Sequence, residues 1–176
     1  MQIKLLHIQN FKSIKNLRIK DIENSLILVG KNNTGKTVVL DAISLAMGIY
    51  VPKKSDFNEK KQNIEISLSL EITQEDLKRL HSNGIVSSYK KYSSWEREFM
   101  QKLPSFSEGR LDFTCCVNYN GQLRYEDGHT KHNRYISKVL PKLHFIDTIT
   151  FLLMLSRVKL LVCLVLTEQA KPHRSI

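Results

Sequence analysis

Eight residues constrain this chain more than any others. Gly30 to Thr37 reads GKNNTGKT, which fits the phosphate-binding loop pattern G-x-x-x-x-G-K-[ST] at every fixed position. The flanks are those the pattern requires. Ser25 to Val29 is short and apolar and reads as a buried strand. Val38 to Met47 reads as a helix that stops at Gly48. Without those flanks, a glycine turn ahead of a helix would satisfy the same letters; strand, loop and helix together are far more specific.

The residue types have physical reasons. Gly30 and Gly35 take backbone angles closed to side chains and let the main chain approach an anion. The loop N–H groups, with Asn32, Asn33 and Thr34 between the glycines, then form an inward-facing nest. The new helix adds its unpaired N–H groups and the positive end of its dipole. Lys36 is a mobile cation for the β- and γ-phosphates, the one catalytic candidate. Thr37 offers a hydroxyl to Mg²⁺. The loop therefore implies ATP and Mg²⁺ as ligands, through Gly30, Asn32, Asn33, Thr34, Gly35, Lys36 and Thr37.

At 176 residues the chain is long enough for one domain with a true core, and 41% hydrophobic with 25% charged residues is an ordinary globular balance. A net charge of +10 suits a polyanionic partner, nucleic acid above all, without requiring one. Cys115, Cys116 and Cys163 match neither a disulfide framework nor a zinc pattern. Free buried thiols in a reducing cytoplasm are expected. The start, Met-Gln-Ile-Lys, is no signal peptide.

Taken in order, Met1–Ile8 alternates as a strand, with Ile3, Leu5 and His7 on one side and Lys4, Leu6 and Ile8 on the other. Asn10–Ser13 is a bend and Ile14–Ile22 a second strand, expected to pair with the first. The phosphate loop is thus preceded by three strands, unlike that of a small GTPase or simple nucleotide kinase. The helix after Thr37 is apolar nearly all round and is expected against a sheet. Tyr50–Lys61 reads as a surface loop. In Asn63–Ile72, Ile64, Ile66, Leu68, Leu70 and Ile72 form one apolar face opposite a polar one, which favours an antiparallel sheet. Thr73 caps a helix Gln74–His81, ended by Asn83-Gly84. Ser94 is expected to cap a helix Trp95–Lys102. Arg110–Tyr119 and Gln122–Glu126 read as a hairpin around Asn120-Gly121. His129–Lys142 carries Lys131, Arg134, Lys138 and Lys142 and no acid; despite His129 and His132 it reads as a solvated basic face. Leu143–Asp147 reads as a last strand. Phe151–Leu166 is nearly unbroken apolar sequence, but its 16 residues, with Arg157 and Lys159 inside, are too short and too charged to span a bilayer needing roughly 20. No membrane partner is expected. The composition shift near Thr148 divides the chain into residues 1–147 and an atypical tail, 148–176, as in a truncated or frame-disrupted version of something longer.

This order, with Asn10-Phe11-Lys12-Ser13-Ile14, a second strand, Leu28-Val29-Gly30-Lys31-Asn32-Asn33-Thr34-Gly35-Lys36-Thr37 and then Leu40-Asp41-Ala42-Ile43, resembles the N-terminal lobe of an ABC-type ATPase head of the RecF/SMC kind. It is most similar to the OLD family of ATP-dependent endonucleases of phage defence and DNA repair. Residues 1 to about 45 carry the likeness closely; 62–147 match in layout. The resemblance implies an α/β P-loop NTPase fold, a partial ABC head with a mixed sheet around the loop helix plus antiparallel strands. It implies that Lys12 and Ser13 approach the nucleotide, that Asn33 lies near the γ-phosphate, and that Asp41 is structural. It implies ATP hydrolysis by a head-to-head homodimer acting on DNA in the complete protein, in the cytoplasm. The departures are a missing signature of the L-S-G-G-Q kind and the absence of an Asp-Glu strand end. Leu143–Asp147 imitates that strand, but Thr148 stands where the glutamate belongs; by its place in the chain it reads as the exit strand of the lobe.

Two function classes remain open on the sequence: the ATP-binding lobe of a DNA-acting ATPase or ATP-dependent endonuclease, and a non-hydrolysing ATP-binding module. A GTPase is disfavoured, because no D-x-x-G or N-K-x-D occurs.

Overall fold

The computed structural model describes residues 1–23, 25–26, 28 and 35–143. Its frame is a six-stranded sheet in the order β2-β1-β3-β5-β4, with β6 also paired to β5. The strands are β1 (Gln2–Phe11), β2 (Ile14–Ile19), β3 (Ile64–Glu71), β4 (Phe106–Ser107), β5 (Arg110–Val117) and β6 (Leu123–Glu126). Four helices accompany them: α1 (Lys36–Ala46), α2 (Gln74–Ser82), α3 (Tyr92–Lys102) and α4 (Ile136–Val139). Every described strand pair is antiparallel.

The alternation of β3 places it at the centre. Its even residues align in register with apolar residues of both neighbours, giving the rows Ile3–Leu70–Leu111, Leu6–Leu68–Phe113 and Ile8–Ile66–Cys115. All nine are buried. The same core takes in Val39, Ala42, Ile43, Leu45 and Ala46 of α1. Burying a large aliphatic side chain contributes about 1.5–3 kcal/mol, so these rows and the apolar helix hold the sheet and α1 as one body. The odd residues face the other way and form polar rows such as His7–Ser67–Thr114, where Ser67 and Thr114 hydroxyls lie 2.9 Å apart.

Several expected elements appear as read. β1 and β2 form a hairpin. Thr73 caps α2 through a reciprocal pair with Asp76, Thr73 Oγ1 accepting from the Asp76 N–H at 3.2 Å and the Asp76 carboxylate from the Thr73 N–H at 3.0 Å. The helix after the phosphate loop ends at a left-handed Gly48, φ 74°. Cys115 and Cys116 point to opposite sides of β5 and both are buried, which pushes each thiol up to about 12.

Other expectations are corrected. Strict alternation in β1 fails at Lys4, where the register against β3 slips between Ile3 and Leu5. This bulge turns Ile3 to the same buried face as Leu6 and Ile8. α3 begins at Tyr92, so Ser94 lies inside it and supplies no cap. The short β4 was not read; it pairs with the start of β5 across a turn with positive φ at Glu108 and Gly109. The expected strand Ser25–Val29 is not formed by its described residues, Ser25, Leu26 and Leu28. No described strand pairs with these residues; Ile22, just before them, joins β1 through an N–H bond to the Lys4 carbonyl (3.2 Å). The rest of Leu143–Asp147, Cys163 and the tail 148–176 lie outside the described residues.

The loop after α1 is tied down more firmly than a lysine-rich surface loop suggests. Asn10, buried and at φ 57°, donates its side-chain amide to the carbonyls of Glu59 (2.9 Å), Gln62 (2.8 Å) and Asn63 (3.3 Å). Its side-chain oxygen accepts from the Glu59 N–H at 2.5 Å. One side chain at the end of β1 thus bonds four backbone groups of the returning loop.

Candidate functional site

The described part of the phosphate loop is Gly35-Lys36-Thr37, and the fold gives it a defined place. Gly35 is the N-cap of α1 at φ 87°, ψ 5°, a left-handed conformation that a side chain resists. Its carbonyl accepts the first helical bond, from the Val39 N–H at 3.2 Å. No acid occupies the first turn of α1, so nothing there offsets the positive end of the helix. Thr37 is exposed in that first turn.

The bend between β1 and β2 closes over the same point. Lys12, at φ 51°, makes the sharp reversal, and the Ser13 hydroxyl lies 3.8 Å from where a Cβ on Gly35 would stand. The Lys12 ammonium reaches the Asp41 carboxylate at 2.6 Å. Asp41 is four residues after Thr37 and so shares its face of α1. The Lys12 cation also lies 4.7 Å from the centre of the Tyr50 ring and 5.4 Å from that of Phe11. Tyr50 in turn donates its hydroxyl to Asp56 at 2.8 Å. Partial burial opposes the charge on Lys12, but the hydrogen bonds to Asp41 and Tyr50 outweigh it and raise its pKa above the usual lysine value.

Of the residues singled out in the sequence, the fold brings Ser13, Gly35, Lys36 and Thr37 together at the head of α1, with Lys12 one turn along. Gly30, Asn32, Asn33 and Thr34 lie outside the described residues. Asp41, read as structural, is the anchor of Lys12. Sequence reasoning missed Asn10, Tyr50 and Asp56. An asparagine ending a strand is a local hint, since asparagine tolerates left-handed backbone; Tyr50 and Asp56 bond each other within the loop, but their link to the site runs through Lys12, which is distant in sequence.

The donor set suits a nucleotide polyphosphate. It joins a helix N-terminus without a first-turn acid, a lysine, and a hydroxyl on an exposed turn. Among the described residues no cluster of three histidine, cysteine or carboxylate ligands occurs, and His129 and His132 form no such group. No described helix is long and apolar enough to cross a membrane.

Comparison with known proteins gives the fold class first. A solved structure from work on the ATP-driven dimerization and DNA-stimulated activation of SMC ATPases superposes with a TM-score of 0.52 at 17% identity, covering 89% of this chain and 93% of that one. The Smc head bound to the C-terminal winged-helix domain of ScpA gives 0.50 at 16%, covering 80% of this chain and 40% of that one. The fold is therefore that of an α/β P-loop ATPase of the ABC and SMC-head type. The AAA ATPase domain family matches residues 1–114, and the chain belongs to that family. The DNA replication and repair protein RecF of Rickettsia conorii is 45% identical over 40 residues, and that of Rickettsia felis likewise. The matched segment is 23% of this chain and spans only 11% of either relative.

Proposed function

We propose that residues 1–147 are the nucleotide-binding lobe of a DNA-acting ATPase closest to the OLD-family ATP-dependent endonucleases, working in the cytoplasm in DNA repair or phage defence. Residues 148–176 stand apart from this lobe by composition. The observation that carries the reading is the head of α1, where left-handed Gly35, Lys36 and Thr37 meet Ser13 from the opposing bend.

In this reading the loop from Gly30 through Asn32, Asn33 and Thr34 to Gly35 wraps the phosphates with backbone N–H groups. Lys36 neutralises the β- and γ-phosphates. Thr37 holds Mg²⁺, which when bound supplies charge neutralisation on the phosphate oxygens. Ser13 closes the site from the bend, and Lys12, through Asp41, fixes that bend against α1. Phosphoryl transfer needs little from the protein beyond such positioning and charge. A second head, in a head-to-head homodimer of the complete protein, supplies the rest of the site, and hydrolysis then gates access to DNA.

A non-hydrolysing reading has one observation in its favour: the sequence holds neither an Asp-Glu strand end nor a signature of the L-S-G-G-Q kind. One titration and one turnover assay separate the cases. Mg-ATP is titrated onto the chain and onto Lys36→Ala, with phosphate release measured on both. Binding that is lost with Lys36 supports the lobe; release lost with it adds hydrolysis. Binding indifferent to Lys36→Ala refutes both readings.

A further inference from the structure

The second chemistry-bearing surface lies away from α1, on the loop that joins β6 to α4. Two buried polar side chains build it. Asp127 Oδ1 accepts from the backbone N–H groups of His129 (3.0 Å) and Thr130 (2.6 Å). Its other oxygen accepts from the Asn133 amide at 2.6 Å. Asn133 donates as well to the Lys102 carbonyl (2.8 Å) and accepts from the Tyr135 N–H (2.9 Å). Ile136 and Val139, both buried, pin α4. Burying an aspartate and an asparagine is costly unless they are fully paired, and here they are spent on fixing a loop.

What that loop displays is cationic. Lys131, Arg134 and Lys138 are exposed, with His132 exposed among them. Among the described residues none of Lys131, Arg134 and Lys138 pairs with a carboxylate; the Asp127 carboxylate is spent on the loop itself and Glu98 holds Lys102 at 3.0 Å. Three cations converge on one ring: Lys102 at 4.7 Å, Arg134 at 5.3 Å and Lys138 at 5.3 Å from the centre of Tyr135. The Tyr135 hydroxyl faces Lys102 Nζ (3.0 Å) and Arg134 Nη2 (3.3 Å), which lower its pKa below the usual tyrosine value. Beside them is a groove of about 440 Å³ lined by Lys102, Thr130, His132, Asn133 and Arg134, and by Glu98, whose carboxylate is engaged by Lys102. Like charges held this close repel one another, a cost that a polyanion in the groove would reverse.

We infer that the loop from Asp127 to Lys138, with Lys102, is a docking platform for the phosphodiester backbone of a nucleic acid. The inference rests on the proposed reading as a lobe of a DNA-acting ATPase and names the surface the nucleic acid meets. The mode follows from Tyr135. Its ring is engaged by cations, so it is no stacking platform for unpaired bases, and the remaining groups are backbone-type donors. Binding is therefore independent of sequence, tolerant of duplex and steeply salt-dependent.

The test uses the full chain and a fluorescein-labelled 30-bp duplex, with anisotropy followed from low to high salt. The triple variant Lys131→Ala/Arg134→Ala/Lys138→Ala is expected to weaken binding on the order of a hundredfold at 0.1 M salt and to lower the salt slope by about 3, one per lost phosphate contact. The equally neutralised variant Lys15→Ala/Arg18→Ala/Lys20→Ala, on β2 and the residue after it, is expected to keep slope and affinity within a few-fold. Two duplexes of unrelated sequence are expected to bind alike. Should the triple variant fail the urea-melting check, Lys138→Glu on exposed α4 takes its place, with a slope lower by one or more. No duplex binding by the unmodified chain, equal losses in both triple variants, or adsorption to phosphatidylglycerol vesicles without duplex binding each overturns the proposal. Mg-ATP binding, measured on the same samples and expected unchanged, keeps failure here distinct from failure of the nucleotide site.

Discussion

Lys12→Met and Asp41→Asn perturb the clamp that ties the β1–β2 bend to α1, and the structure sets the size of the effect. The pair is 2.6 Å apart, with side chains 25% and 27% exposed. Two unit charges near a protein surface attract with about 4 kcal/mol before desolvation and ordering are counted. Exposed pairs retain at most about 1 kcal/mol and breaking a buried pair costs about 3–5 kcal/mol. A quarter-exposed pair still reaches water and lies at the exposed end of that range, so Asp41→Asn is expected to cost about 1 kcal/mol. Lys12→Met also loses the cation over Tyr50, about 0.5–1 kcal/mol more, and should cost about 2. Urea unfolding reads this as a midpoint shift of about 0.5–1 M at constant slope, taking a slope of about 2 kcal/mol/M. The double variant should recover about 1 kcal/mol of coupling, shrinking as salt rises. Both single variants should weaken Mg-ATP binding in parallel, because each frees the same bend. Coupling below about 0.3 kcal/mol, or nucleotide affinity that falls with Lys12→Met alone, refutes the clamp; the second outcome would make Lys12 a direct phosphate contact.

Four further outcomes follow from single sites. Asn10→Ala removes the amide bonds to the Gln62 and Asn63 carbonyls and the Glu59 N–H, while the Glu59 carbonyl keeps the Gln62 N–H, and should cost about 3 kcal/mol, read by urea melting; a loss under 1 would show that water replaces the amide. Burial works against the Asp127 carboxylate, but bonds from Asn133, Thr130 and His129 hold its pKa below the usual value, so its stabilisation is complete above the unfolded pKa near about 4 and is lost as pH falls through the folded one. Asp127→Asn should therefore cost about 1–2 kcal/mol at pH 7 and make stability less steep below about pH 5, in melts taken from pH 7 to pH 3. Cys115 and Cys116, their thiols pushed up to about 12, should stay unlabelled by iodoacetamide at pH 8, checked by peptide mass spectrometry. Gly35→Ala forces a side chain to φ 87° and should cost about 1–2 kcal/mol along with most Mg-ATP affinity; unchanged affinity would count against the loop geometry.

What was legible in the sequence is what local periodicity encodes. The alternation of β3 disclosed both its buried face and its antiparallel setting, since a half-wet strand suits such a sheet. Thr73 and Asp76 announced α2 because a capping box is complete within four residues. The phosphate-loop pattern can be read locally because its glycines, lysine and threonine are contiguous, and of it the described residues show Gly35, Lys36 and Thr37 at the head of α1. What escaped depends on residues distant in the chain. The bulge at Lys4 appears only when β1 is laid against β3, and the dense Asn10 network only when residues 58–63 return to the end of β1. The cations around Tyr135 come from α3, the following loop and α4, so the segment 129–142 alone read as an ordinary solvated face.

These long-range ties share a direction. Asn10, Phe11 and Lys12 are consecutive, yet they bind the returning segment 59–63, the core, and α1 in turn. The Lys12 N–H also donates to the Asp56 carbonyl at 2.6 Å, and Tyr50 bonds the same residue's carboxylate. The bend is thereby held from three sides before Ser13 meets Gly35. Two left-handed residues, Asn10 and Lys12, are tolerated in three positions because the surrounding bonds over-determine them. A rigid bend over the head of α1 is what a phosphate site needs, since a donor that must first be ordered loses part of its binding energy to that ordering. In the proposed reading the clamp belongs to the nucleotide site as much as the loop does, although none of its side chains figures in the loop pattern.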